Sequence, residues 1–294
     1  MTDGLFQPRR RIDPQAAPAA QAPPAYFFTN ERPRAFLSGL PVMPRVRRAL
    51  CIGGGGDFAF SLLASRVFPG LEGLAACDNR PLAVATMDFK RALIRALPFD
   101  AAARLFGGRG GLRLGEALER ARPFLSSESR AAFARGADDL QALLLDALRA
   151  SGRWVAGSLR PRHGWVDYLP YLSSADAYGR LQRRLPLLDI RFESLEDALG
   201  GRAAGVDFAY LSNVLDDRTY CADPDRLLET AAEALGRGGA LCLATQGRTA
   251  PMTAWMASHG LRLIRAEQGR FGFVSALQGH YAYSFLLFAK DGRG

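Results

Sequence analysis

Residues 46–78 read VRRALCIGGGGDFAFSLLASRVFPGLEGLAACD, and the order of residue types in this stretch decides the fold. The apolar run 46–52 predicts a short strand, and it passes directly into Gly53-Gly54-Gly55-Gly56-Asp57. Four glycines before FAFSLLASRVF mark a tight strand-to-helix turn. Residues 73–77 form a second strand pattern that ends in Asp78. The next segment, PLAVATMDFKRALIRAL at 81–97, has apolar residues at helical spacing and a proline in its first turn, where the missing N–H is no loss. The sequence therefore predicts a βαβα unit.

Outward from this unit, strand patterns disappear from about 100 to 185, where EALERARPFL, ESRAAFARGADDLQALLLDALRASG and DAYGRLQRRL read as helices. This stretch is expected to be a helical insertion covering one end of a sheet. Strands return at 187–192, 207–211, 240–245, 261–265 and 281–289, with helices at 195–199, 223–236 and 249–259 between the earlier ones. Alternation of this kind predicts an α/β fold with a doubly wound, largely parallel sheet. The last two strands are joined only by QGRFGFVSALQGH, without a helix. They are expected to run antiparallel, giving a Rossmann-like, class I methyltransferase type of sheet with an antiparallel terminal strand.

Composition sets the outer limits. The chain has 294 residues, 48% hydrophobic and 23% charged, a globular composition that excludes disorder throughout and fibrous repeats. Residues 1–24, rich in Pro, Ala and Gln, bury too little apolar area to offset their ordering entropy and are expected to be a flexible arm. Residues 25–294 are expected to form one domain carrying the insertion. The net charge is +9, yet of 38 basic residues only Lys90 and Lys290 are lysine, a skew that points to genome composition rather than to a partner. Residues 1–50 hold eight arginines against Asp3, Asp13 and Glu31, so the basic excess belongs mainly to the arm. Its PRRR at 8–11 has two readings, attraction to an anionic membrane surface or simple solvation. Nucleic acid is disfavoured as a partner, because aromatics do not interleave with the arginines. The four cysteines lack metal-ligand spacing and three lie in strand-like runs, so buried thiols and no metal are expected. No secretory signal or spanning segment is legible, and a cytoplasmic protein, soluble or peripheral to a membrane, is expected.

Chemistry is expected at the strand ends. Glycines at a strand-to-helix turn let a ligand approach the backbone, a weak signal alone because plain tight turns look the same. It is strengthened by Asp78, which lies 25 residues after Gly53 at the end of the second strand, where a carboxylate can accept both hydroxyls of a ribose. Together they point to an adenosine-type cofactor. The antiparallel terminal strands and VDFAYLSNVLDD at 206–217 favour S-adenosylmethionine over a dinucleotide. Ser212, Asn213, Asp216 and Asp217 fall where open α/β sheets place their ligands, though Asn213 and Asp216 also suit helix capping.

Four blocks, CIGGGGDFAFSLLA, LAACDNRPLAVATMDFKRALIRALPFDAAARLFG, IRFESLEDAL and YLSNVLDD, together resemble the S-adenosylmethionine:diacylglycerol 3-amino-3-carboxypropyltransferase family of betaine-lipid synthesis. The resemblance runs from about Tyr26 to the end and is most specific in the second block. It implies transfer of the aminocarboxypropyl group to an acceptor, diacylglycerol or another alcohol, phenol or amine, with release of methylthioadenosine. It places Gly53, Gly55 and Asp57 around the methionine part of S-adenosylmethionine and Asp78 on the ribose, with Asn79 beside it; Gly54 is counted with these cofactor-binding residues. Ser194 and Leu195 fall at the adenine-facing turn, Asn213 and Asp216 on the reaction side. Tyr26, Asn30 and Glu31 correspond to a leading segment that closes over the cofactor. Asn79-Arg80 stands where the family has a more apolar pair.

An alcohol acceptor needs a base, for which Asp216, Asp217 and His163 are the candidates. His163 lies in a Trp- and Tyr-rich stretch suited to an acceptor pocket, while His280 and Tyr281, at the start of the last strand, are placed to face the site. His259 precedes Gly260 at a helix end and reads as structural. Two further readings stay open: an ordinary methyltransferase on the same fold, and a non-catalytic cofactor-binding protein.

Overall fold

The computed structural model describes residues 33–106, 114–127, 129–130, 169–201, 205–212, 214–216, 221, 223–245, 249–269, 274–275, 279–280 and 283–291. The stretch quoted first folds as read. Strand β1 (Arg48–Ile52) turns through the glycines into α2 (Asp57–Ala64), and β2 (Gly73–Asp78) leads to α3 (Pro81–Ala96), all preceded by the short α1 (Pro33–Gly39). There follow α4 (Phe99–Phe106), α5 (Leu114–Ala121) and α6 (Ala175–Arg184), then β3 (Leu188–Phe192), α7 (Leu195–Gly200) and β4 (Val206–Tyr210). The chain closes with α8 (Pro224–Ala234), β5 (Leu235–Thr245), α9 (Thr249–Ser258), β6 (Leu261–Gly269) and β7 (Tyr283–Lys290). The arm and residues 131–168 of the expected insertion lie outside the described residues.

The seven strands form one sheet in the order β3-β2-β1-β4-β5-β7-β6. Neighbours from β3 to β5 are parallel, while β7 runs antiparallel to both β5 and β6. This is the sheet expected from the sequence, with the last strand inserted between β5 and β6. β6 is longer than expected, running to Gly269, which pairs with Tyr283 at the start of β7. His280 does not begin β7: it pairs with Val274 in a separate two-residue ladder within the connection.

Strand pleating divides the core into two. Cys51, Ala76, Tyr210, Cys242 and Leu287 face α1, α2, α3 and α6, whereas their neighbours Leu50, Cys77, Ala209, Leu241 and Leu286 face α7, α8 and α9. Helices after β1 and β2 thus lie on one face and those after β3, β4 and β5 on the other. The winding reverses between β1 and β4, and the crevice outside their carboxyl ends is where such sheets take ligands.

The described part of the insertion braces the helices that flank this crevice. A helix leaves its last carbonyls without partners, and α6 supplies donors for two such ends. Tyr178 Oη donates to the carbonyls of Ile94 (3.0 Å) and Leu97 (3.1 Å) at the end of α3. Arg180 Nε donates to Ala64 O (2.9 Å), and the Arg184 guanidinium to Leu63 O (3.2 Å), Ser65 O (3.3 Å) and Phe68 O (2.7 Å) at the end of α2. The described insertion therefore packs along one face of the α2–α3 layer.

Candidate functional site

The turn after β1 is built from glycines for two different reasons. Gly53 N–H donates to Cys77 O (2.6 Å), which pulls the turn onto the end of β2. A Cβ there would lie 2.4 Å from Met87 Cε and 3.1 Å from Cys77 O, so a side chain at Gly53 would have to displace Met87 and crowd the end of β2. Gly54 and Gly56 have φ of +50° and +81°, the left-handed region that costs a side chain about 1–2 kcal/mol. At Gly54 a Cβ would meet nothing within 4 Å, so this residue presents an open backbone face. Its N–H donates to Asp78 Oδ2 (3.1 Å), joining the ends of β1 and β2.

Asp78 is buried, only 4% exposed, and its carboxylate receives four donors. Besides Gly54 N–H, Arg80 gives its backbone N–H (3.0 Å) and Nε (3.0 Å) to Oδ1, and Nη2 (3.0 Å) to Oδ2. Asn79 is exposed beside it. Opposite Asp78 in the β2–β3 register stands Phe192, a large apolar side chain 64% exposed at a strand end. Neither the Arg80 fork nor Phe192 was singled out from the sequence. An aromatic closing an edge strand was the available signal for Phe192.

Asp57 opens α2, and its carboxylate is wholly buried. Lys90 Nζ, equally buried on α3, donates to Asp57 Oδ1 (2.7 Å) and to the carbonyl of Gly55 (2.9 Å). Tyr171 Oη, from the turn before α6, donates to the same Oδ1 (2.9 Å). Burial disfavours the charged form of Lys90 and lowers its pKa, while the Asp57 carboxylate counteracts the shift. The Tyr171 phenol is raised well above its usual value by burial first and then by Asp57. The Asp57 side chain therefore holds the glycine turn from inside, and the open face of the turn is offered by Gly54.

The third strand end is that of β4. Tyr210 stacks on Phe58 of α2 with ring centroids 3.6 Å apart, and Phe36 of α1 meets both rings edge-on. Ser212 takes φ +55°, a left-handed backbone in a residue other than glycine, and its carbonyl accepts from Ala244 N–H (2.9 Å). A 3-10 turn follows at Val214–Asp216. The helix after it is capped by Asp223, which accepts from Arg226 N–H (3.1 Å), so the capping alternative for Asn213 and Asp216 does not apply to α8.

The structure brings Gly53, Gly54, Gly55, Asp57, Asp78 and Asn79 together, with Asp216 following β4 on the other side of the winding switch. Ser194 and Leu195 lie just beyond Phe192. Ser194 caps α7, accepting from Asp197 N–H (3.0 Å) and donating to its carboxylate (2.7 Å), and Leu195 is buried against the core containing Leu50 and Cys77. Their side chains thus serve α7 and the core. Tyr26, Asn30, Glu31, His163, Asn213, Asp217 and Tyr281 lie outside the described residues, as does the side chain of Asp216. The helix that follows the leading segment, α1, is seated by Phe36 against Phe58, Tyr210 and Phe285, close to the β4 end. His259 shares a hydrogen bond with Trp255 O (2.9 Å) and stacks on the Trp255 ring (3.8 Å), a helix-end role as expected. Among the described residues no group of three or more His, Cys, Asp or Glu could hold a metal ion, and no helix is long and apolar enough to cross a membrane.

No family model and no curated protein matches the chain. Among solved structures it is similar to the rRNA methyltransferase aviRa from Streptomyces viridochromogenes, with 15% identity, 88% of this chain and 82% of that one covered, and a TM-score of 0.40. It is similar to the N-methyltransferase NodS from Bradyrhizobium japonicum WM9 in complex with S-adenosyl-L-homocysteine, with 14% identity, 87% and 82% covered, and a TM-score of 0.38. A third is the precorrin-6y C5,15-methyltransferase from Geobacter metallireducens GS-15, at 8% identity, 88% of each chain covered and a TM-score of 0.39. Likeness at these identities and scores carries nothing about activity.

Proposed function

We propose that this chain binds S-adenosylmethionine at the carboxyl ends of β1, β2 and β4 and transfers its 3-amino-3-carboxypropyl group to an acceptor. One observation carries the cofactor reading: the buried Asp78 carboxylate at the end of β2 is joined to the open left-handed backbone of Gly54 beside the winding switch. The donor set fits an adenosine cofactor. Asp78 is an acceptor for a ribose diol, Gly54 leaves its backbone uncovered, and exposed Phe192 offers an apolar surface next to Asp78. When bound, S-adenosylmethionine supplies a sulfonium whose adjoining carbons are open to nucleophilic attack, with methylthioadenosine as the product of aminocarboxypropyl transfer.

The chain's own part is positioning. Lys90, Asp57 and Tyr171 fix the turn, and α6 fixes the far ends of α2 and α3, so that orientation can supply several kcal/mol of the barrier. An alcohol acceptor has to lose its proton, and Asp216 and Asp217 after β4, with His163, are the candidates to receive it. The choice of aminocarboxypropyl over methyl transfer rests on the four sequence blocks in their family order. Diacylglycerol, or another alcohol, phenol or amine, is the proposed acceptor class.

The test is incubation of the full chain with S-adenosylmethionine and a lipid and metabolite extract, with the nucleoside product identified by mass spectrometry. Methylthioadenosine above the no-enzyme control is expected. S-adenosylhomocysteine in its place would make the protein a methyltransferase, and neither product would leave a binding protein or retire the cofactor reading. Asp78→Ala removes the charged acceptor and is expected to weaken cofactor binding by about 1.5–3 kcal/mol. Unchanged affinity by calorimetry would move the ribose site elsewhere.

A further inference from the structure

We infer that Arg80 is a self-capping latch on the ribose carboxylate, its guanidinium holding the acceptor positions that a ribose diol would take. The inference rests on the cofactor reading above and concerns how that site is closed. An ionised carboxylate has about four acceptor positions on its two oxygens. Asp78 has four donors, the N–H groups of Gly54 and Arg80 and the two arms of the Arg80 guanidinium. The two backbone donors belong to the turn and to the start of α3, and they stay as long as the fold does. The guanidinium bonds are the replaceable pair. One arm reaches Oδ1 and the other Oδ2, each at 3.0 Å, so the fork presents two parallel donors to two oxygens as vicinal hydroxyls do.

Burial supports the same division. The Asp78 side chain is 3% exposed and fixed, whereas that of Arg80 is 28% exposed. A guanidinium that already touches water can turn out towards it, while the carboxylate cannot lose buried donors without replacements. Cofactor binding is then an exchange on Asp78, with two hydroxyl donors entering as two guanidinium donors leave. The latch satisfies the buried carboxylate whenever no diol does so, and it subtracts its own strength from the apparent affinity of any ligand that carries the diol.

Equilibrium dialysis of labelled S-adenosylhomocysteine against the full chain, Arg80→Ala and Arg80→Lys tests the latch. This ligand lacks the sulfonium, so removal of a nearby cation does not favour it by relief of charge repulsion. Arg80→Ala is expected to bind about threefold or more tighter than wild type, the worth of a partly exposed ion pair. Arg80→Lys is expected to fall between the two, because an ammonium makes a point contact rather than a fork. Thermal unfolding without ligand establishes that both variants are folded. Equal or weaker binding by Arg80→Ala, with wild type binding normally, overturns the latch and leaves the cofactor site standing. Binding by none of the three proteins overturns the cofactor reading, and the latch with it.

Discussion

Replacing Lys90 with methionine removes the ammonium inside the glycine turn while keeping most of its volume. Lys90 and Asp57 are both wholly buried with 2.7 Å between Nζ and Oδ1, so water cannot take over the solvation of the remaining carboxylate. Breaking a buried pair by deleting one partner costs about 3–5 kcal/mol. The Gly55 carbonyl loses a charged donor in the same step. For a chain of this size order, such a loss corresponds to a fall in Tm of about 6–20 °C. The decisive comparison is the double variant Lys90→Met with Asp57→Asn, in which neither buried charge remains. It is expected to recover most of the lost stability, since a buried pair as a whole contributes little net. Urea unfolding at neutral pH, followed by circular dichroism, measures all three proteins. The reasoning fails if Lys90→Met stays within about 1 kcal/mol of wild type, or if adding Asp57→Asn deepens the loss instead of relieving it.

Three further outcomes are expected. Gly54→Ala should cost about 1–2 kcal/mol from its left-handed φ alone, yet impair cofactor binding, because its methyl enters the open face; Gly53→Ala should instead destabilise by about 1–3 kcal/mol through collision with Met87 and Cys77 O. Equal effects of the two on stability and binding, in unfolding and dialysis assays, would refute this division of labour. Stability should fall in alkali: Cys77 and Cys221 are pushed up to about 12 by burial, and Cys51, Tyr171 and Tyr178 are raised as well. Their stabilisation is complete below the ordinary thiol pKa of 9.0, above which the unfolded chain releases protons that the folded chain retains. Lys90, with its lowered pKa, contributes in the opposite sense, and a urea midpoint that stays level up to pH ~10.5 would show that the raised groups do not dominate. Finally, Arg184→Met should cost about 1.5–3 kcal/mol, because three carbonyls at and after the end of α2 lose a charged donor; a Tm equal to wild type would remove Arg184 from the bracing of α2.

Local signals were legible and distant ones were not. The strand, glycine turn and helix at 48–64 and the acidic end of β2 follow from periodicity and spacing within a few residues. The start of β5 at Leu235, rather than Ala240, does not. Leu235 pairs with Val206, and the GRGG that follows at 236–239 carries no strand pattern and lies in the register shift before Ala240 resumes pairing opposite Phe208. At the site, Asp78 was legible from its interval to Gly53, whereas the guanidinium fork depends on an Arg80 rotamer that no interval encodes. The resemblance placed Asp57 around the methionine part of the cofactor, whereas its carboxylate is wholly buried against Lys90 and Tyr171. Its engagement with Tyr171, 114 residues away, is a property of tertiary packing alone. Ser212 was noted by position, but its left-handed backbone is imposed where its carbonyl accepts from Ala244 of β5.

The scarcity of lysine has a practical consequence. Both lysine ammonium groups are committed to main-chain carbonyls, Lys90 to Gly55 O (2.9 Å) and Lys290 to Ala232 O (2.7 Å) and Leu235 O (2.8 Å). An arginine-rich surface gives amine-directed acylating reagents little to attack, and Lys90 can be reached only when α2 and α3 part. Its rate of acylation therefore times the opening of the layer that carries the glycine turn. A ligand seated on that turn would slow this clock without touching the lysine itself.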